Sequence, residues 1–243
     1  PDVEQAFRDI VNPRFARLPE AGEAGTALLR QRMQRFLVVI AKERAMRETL
    51  ARQAVARIGL DGEPDPSAAP SGELETILSI GVQDIGEPYF DLLLEQAQTD
   101  QDPAFRAAAR GALARVEDPV LVRKLQAALL EGNFQGSDFL GIVFRQMTRG
   151  ATTELTYAWL MDNYDAIKAQ LPDSYRARVL PALGSAFCSA ERADDWQAFI
   201  EARAEQLPGY ERSLAQAIET VRLCAALREA KAEELVTAFR NYR

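Results

Sequence analysis

Apolar residues return along this chain every three to four positions. Leu121, Leu125, Ala128 and Leu129 fall at i, i+4, i+7 and i+8, which places them on one face of a helix. Trp196, Phe199, Ile200 and Leu207 repeat the pattern, as do Leu214, Ile218, Val221 and Ala225. The every-second-residue alternation of a half-buried strand is missing, and β-branched residues are sparse. The chain therefore reads as all-α. The pattern predicts helices over 2–11, 22–41, 43–59, 72–81, 86–99, 103–115, 119–131, 137–148, 152–169, 173–188, 191–206, 210–228 and 230–241.

The breaks between helices have their own chemistry. Asp102-Pro103 and Asp118-Pro119 read as N-caps followed by proline at the first helical position. There the carboxylate accepts from free backbone N–H groups, and proline gives up a donor the helix does not use. Leu171-Pro172 and Leu207-Pro208 end helices because proline disfavours helical geometry in the residue before it. Asp61–Gly72, with three prolines and two glycines, is a loop. Helices of the same character flank it, so it is not expected to divide the chain, and 1–243 is expected to form one helical-repeat domain.

Short helices on short turns predict antiparallel pairs stacked side by side. Between Phe90 and Leu130 the helices recur at roughly sixteen residues, so a pair spans about thirty-two. With weak identity between the units, that fits degenerate HEAT/ARM-like repeats, in which each pair buries its apolar face by stacking on its neighbours into a superhelix.

Composition narrows the function. The net charge of −7 argues against nucleic acid, which selects a basic face. Arg outnumbers Lys 25 to 4. An Arg-favouring codon bias explains this, with carboxylate or anion recognition by the planar guanidinium as the alternative. No apolar run approaches the roughly 20 residues of a membrane span. The N-terminus lacks the charged-then-apolar layout of a signal peptide and does not begin with Met, as expected of a processed chain or a piece of a longer one. A soluble chain follows, cytoplasmic or periplasmic/secreted. Cys188 and Cys224 lie in helical patterns 36 residues apart and read as two buried free thiols, a single bridge being the alternative.

The chain has no histidine, which removes Ser-His-Asp triads, Cys-His pairs and His-ligated zinc. No phosphate-cradling glycine motif occurs. The acidic stretch Glu95–Asp102 lacks the ligand spacing and central glycine of a calcium loop. Asp194-Asp195 and Glu233-Glu234 read as solvated helix faces. No catalytic and no metal-ligating residue is expected here.

The segment "TTELTYAWLMDNYDAIKAQLP", Thr152 to Pro172, resembles the helix AW-x-F-x-x-x-N-W-D-x-L of the C-terminal helical domain of aminopeptidase N and the endoplasmic-reticulum aminopeptidases, which are gluzincin zinc peptidases. "SLAQAIETVRLCAALREA" is similar to that family's L-x-Q-A-x-E-x-I-x-x-N-x-x-W helix, with Cys224 and Leu227 in place of its last two positions. "NPRFARLP" resembles the domain's entry, and "TALLRQRMQRFLVVIAKERAMRETLARQAV" its first two helices. "EDPVLVRKLQAALLEGNFQGSDFLGIV" resembles DP-x-L-L-x-x-x-L-x-x-x-L-x-G-x-x-R-x-Q-D: Asp138 matches the last Asp, while Gln135 and Ser137 replace Arg and Gln.

The resemblance implies a non-catalytic, bowl-shaped cap over a catalytic domain elsewhere in a larger protein. That domain would hold zinc through two His and a Glu and hydrolyse N-terminal residues from peptides, leaving this chain without a cofactor. The implied partners are the catalytic domain and the peptide substrate. Asp138, Arg145 and Arg149 are the candidates to face substrate, although Asp138 also reads as an N-cap and the arginines as compensation for a helix end. Trp159, Tyr164, Trp196 and Phe199 read as inter-helix core. The alternative is a freestanding helical-repeat scaffold that takes a protein or peptide in its concave groove.

Overall fold

At the Asp102-Pro103 and Asp118-Pro119 pairs the carboxylate caps a helix. Asp102 accepts from the Ala104 N–H at 2.8 Å, and Asp118 from the N–H groups of Val120 and Leu121 at 2.7 and 3.2 Å. In the computed structural model, which describes residues 3–19, 24–134 and 136–241, these caps open two of thirteen α-helices, and no strand occurs among the described residues. The fold is all-α.

In order the helices are α1 (Val3–Phe15), α2 (Ala24–Val39), α3 (Arg44–Ile58), α4 (Leu74–Asp84), α5 (Glu87–Thr99), α6 (Pro103–Leu113), α7 (Pro119–Leu130), α8 (Ser137–Met147), α9 (Thr153–Asp162), α10 (Tyr164–Ala169), α11 (Asp173–Leu183), α12 (Ala190–Glu201) and α13 (Glu211–Asn241). The expected starts at residues 2 and 22 lie outside the described residues.

Several expected helices end differently; 2–11 runs on to Phe15 and 191–206 stops at Glu201. The 152–169 segment breaks at Asn163, whose side chain donates to the Trp159 carbonyl at 2.9 Å and so ends α9. The 173–188 segment stops at Leu183, where Gly184 starts a 3-10 turn. The 210–228 and 230–241 segments form one helix: the apolar stripe lapses between them, but no Gly or Pro does, and Ala, Leu, Lys, Arg and Glu sustain a helix without a core.

The chain divides into two compact units. One holds the described residues up to Val116 together with those from Val236 on; the other runs from Glu117 to Leu235. The 61–72 loop falls inside the first unit and carries one 3-10 turn, Pro66–Ala68.

In the first unit α3 packs on α4, α4 on α6, and α5 on α6. Leu50, Ile58, Ile77, Leu78, Phe90, Leu93 and Phe105 form the core between them. Tyr89 is fully buried against Gly81, where a Cβ would stand 2.3 Å from the ring, so only glycine lets α4 and α5 close. Arg47 fastens α3 to its surroundings: it donates to both carboxylate oxygens of Asp84, to Gln83 Oε1 and to the Val38 carbonyl. A buried guanidinium is tolerable only when so many donors are matched. Phe7 of α1 meets the rings of Phe36 and Phe239 edge-on at 5.2 and 5.4 Å.

The second unit centres on Trp196 of α12, which is fully buried. Its indole N–H donates to the Pro181 carbonyl at 2.9 Å, satisfying the one polar group it carries inward. Tyr157, Phe187, Phe199 and Tyr164 extend the aromatic cluster, with ring centroids 5.0 to 6.0 Å apart. Of the four aromatics expected in the core, Trp196 and Tyr164 are buried, whereas Trp159 and Phe199 are half-buried. Phe199 gains a partner at its exposed side: the Arg203 guanidinium lies 3.6 Å over its ring.

Candidate functional site

Asp138 and Arg145 sit in the first and last turns of α8. Seven residues apart, they share a helix face and are separated by roughly 10 Å along the axis. Asp138 is half-buried and Arg145 exposed. Asp138 does not cap the helix: α8 begins two residues earlier than that reading requires, and Gly136, at φ 56°, occupies the N-cap position. A carboxylate one turn in and a guanidinium in the last turn both complement the helix dipole. Arg149 lies past the end of α8 and pairs with Glu117, which precedes the Asp118 cap, so its charge is already engaged. Gln135, the residue standing in for the family's Arg, lies outside the described residues.

A cleft of about 570 Å³ opens between α12 and the first turns of α13. Two adjacent i, i+4 ridges of α13 build it. Leu214, Ile218 and Arg222 form one, with Leu214 and Ile218 5% and 6% exposed at its floor. Glu211, Ala215, Glu219 and Leu223 form the other, standing in solvent. Ala215 is the small residue on that ridge and leaves room above the floor. Gln197 and Glu201 of α12 make the facing wall, and Tyr210 closes one end.

Charge is uneven across the cleft. Arg222 is occupied by Asp194 of α12 at 2.9 Å. Arg203, two residues beyond Glu201, turns onto the Phe199 and Tyr164 rings and donates to the Phe199 carbonyl. Glu201 receives a hydrogen bond from Gln197 at 2.8 Å. Among the described residues, no cation pairs with Glu201, Glu211 or Glu219. Helical spacing held the signal for this feature. The series Glu211, Ala215, Glu219, Leu223 is a second stripe beside the apolar one, and a search confined to apolar periodicity passes over it.

The expectation of two free thiols is wrong. Cys188 and Cys224 form a disulfide, with their Cα atoms 5.0 Å apart. The reason is the equal length of two paths. From Cys188 the chain runs out along α12 for about 18 Å and returns along α13 for about 20 Å to Cys224, which brings the two level. Every residue lining the cleft lies inside the loop that this bridge closes.

Among the described residues, no three His, Cys, Asp or Glu side chains converge to hold a metal ion, and no helix is long and apolar enough to cross a membrane. No curated protein matches the chain. The profile of the ERAP1-like C-terminal domain family matches residues 1–223, which take in α1 to α12, the start of α13, the cleft and the whole Trp196 aromatic cluster. The chain belongs to the family of ERAP1-like C-terminal domains.

Proposed function

We propose that this chain is the non-catalytic cap of a zinc aminopeptidase: an all-α domain that covers a catalytic domain elsewhere in the protein and controls peptide access. The observation that carries the reading is the family match over 1–223 on an all-α fold. The chain's own chemistry supports the division of labour. Zinc hydrolysis needs three protein ligands and an open position for water. Here there is no histidine, both cysteines are bridged, and no acidic cluster of that kind occurs among the described residues. These residues do not fit zinc, which on this reading would be held by the catalytic domain. A cap acts by excluding water and restricting which peptide ends reach the metal, which requires shape rather than reactive groups. Asp138 and Arg145, on one face of α8, remain the proposed contacts to the distal part of the peptide. Arg149 would reach a peptide carboxylate only by leaving Glu117.

The test is an assay of the purified chain beside the product of its complete gene on aminoacyl-nitroanilide and peptide substrates. The chain alone is expected to be inactive, and the complete product to be active and inhibited by chelators. Hydrolysis by the chain alone, with contaminating metallopeptidase removed, overturns the reading.

A further inference from the structure

We infer that the cleft between α12 and α13 is a docking groove for a cationic amphipathic helix, one with an aliphatic stripe flanked by Lys or Arg residues seven or eight positions apart. The inference rests on the geometry of the second unit and stands apart from the aminopeptidase reading.

The dimensions favour a helix. From Tyr210 to Leu223 the groove follows α13 for thirteen residues, roughly 20 Å, or about four turns of a partner helix. Its floor is aliphatic, with Leu214 and Ile218 beneath Ala215, while Leu223 stands 64% exposed on the wall. A partner's aliphatic residues would cover that surface, as in other helix-in-groove complexes.

The charges decide the partner's sign. Glu211 and Glu219 lie eight residues apart on one ridge, about 12 Å along the axis, with Glu201 on the opposite wall. All three are exposed and have no cation among the described residues, whereas the groove's one guanidinium is already bound to Asp194. Lys or Arg seven or eight positions apart on a helix repeats the spacing of Glu211 and Glu219. An acidic or neutral helix would leave carboxylates beside an apolar contact without compensation, which costs affinity. The Cys188–Cys224 bridge anchors both walls at one end, so the groove exists before the partner arrives and less ordering entropy is lost on binding.

The experiment uses the oxidised chain and a fluorescein-labelled, helix-forming 14-residue peptide of Leu and Lys in the stated pattern. The comparison peptide has Glu in place of Lys, and binding is read by anisotropy. The basic peptide is expected to bind and the acidic one not to. The variant E201Q/E211Q/E219Q should weaken binding by roughly tenfold, the combined effect of three exposed charge pairs. The control E205Q/E229Q/E233Q removes the same charge away from the groove and should leave affinity unchanged. Equal binding of the two peptides, no binding of either, or equal losses in both variants overturns the inference. So does sedimentation showing that the chain dimerises through this face and that E201Q/E211Q/E219Q abolishes the dimer, because the occupant would then be a second copy.

Discussion

Removing the Cys188–Cys224 bridge should destabilise the second unit by several kcal/mol. A crosslink acts chiefly on the unfolded chain, by forbidding the conformations in which its two ends are apart. For the 36-residue separation here the loop-entropy relation gives about 3.8 kcal/mol at 25 °C. The perturbation is clean because both cysteines are half-buried: the variant C188S/C224S neither opens a deep cavity nor buries an unpaired hydroxyl. The assay is clean because both tryptophans, Trp159 and Trp196, lie within Glu117–Leu235. Urea unfolding followed by tryptophan fluorescence therefore reads the second unit through both of its reporters. With a urea m-value of about 2 kcal/mol/M, the midpoint should fall by about 2 M. Two results would refute the reasoning: alkylation of both cysteines in native, unreduced protein, or a midpoint shift below about 0.5 M. The stabilisation is present only where the bridge persists, in an oxidising environment.

Two further predictions concern packing and pH. Replacing Gly184 with Ala should destabilise the second unit although the backbone there, at φ −64°, suits any residue. A Cβ would stand 2.1 Å from Trp196 Cδ1, and overpacking of this kind costs about 1–3 kcal/mol against a gain of about 0.4–1 kcal/mol from a stiffer unfolded chain. Circular-dichroism-monitored urea unfolding should show the loss, and a W196L background should suppress it; a neutral or stabilising G184A in wild type would count against the close contact. Stability should also fall as pH rises from about 10 to about 12. Burial pushes Tyr164 up to about 12, with Arg203 opposing, and pushes Tyr89 higher still. In that interval the unfolded chain loses phenolic protons that the folded chain keeps, so the unfolded state is favoured. Tyrosinate absorbance beside urea midpoints checks this, and a flat midpoint across the interval, or all tyrosines ionising together near 10, would contradict it.

Helix identity was legible in the sequence wherever a local interaction sets it. The Asp102 and Asp118 caps are decided within three residues, and the structure shows both carboxylates on the expected N–H groups. Helix ends set by longer-range contacts were not legible. Gly184 stops α11 where the Trp196 ring crosses it, twelve residues away in sequence. Asn163 ends α9 by a side-chain bond that the apolar periodicity does not register. The disulfide escaped for the same reason. Thirty-six residues say nothing of proximity until the lengths of α12 and the start of α13 are known to match. At the proposed contact residues, sequence located Asp138 and Arg145 on one helix but could not foresee that Arg149 is held by Glu117.

The cap reading and the groove reading draw on different properties of the same helices, so one can fail without the other. The first depends on the family match and on a donor set unsuited to zinc, and it asks only that the chain hold its shape. The second depends on three carboxylates that no described cation neutralises. Exposed carboxylates on a helix are ordinarily solvated and carry no implication. These differ in flanking an aliphatic floor whose two walls are joined at one end by a covalent bond. Stiffness at that end serves both roles. A cover must not yield when peptide presses on it, and a groove binds more tightly when its walls need no ordering. The bridge supplies that stiffness at Cys224, one residue past the Leu223 at which the family match ends.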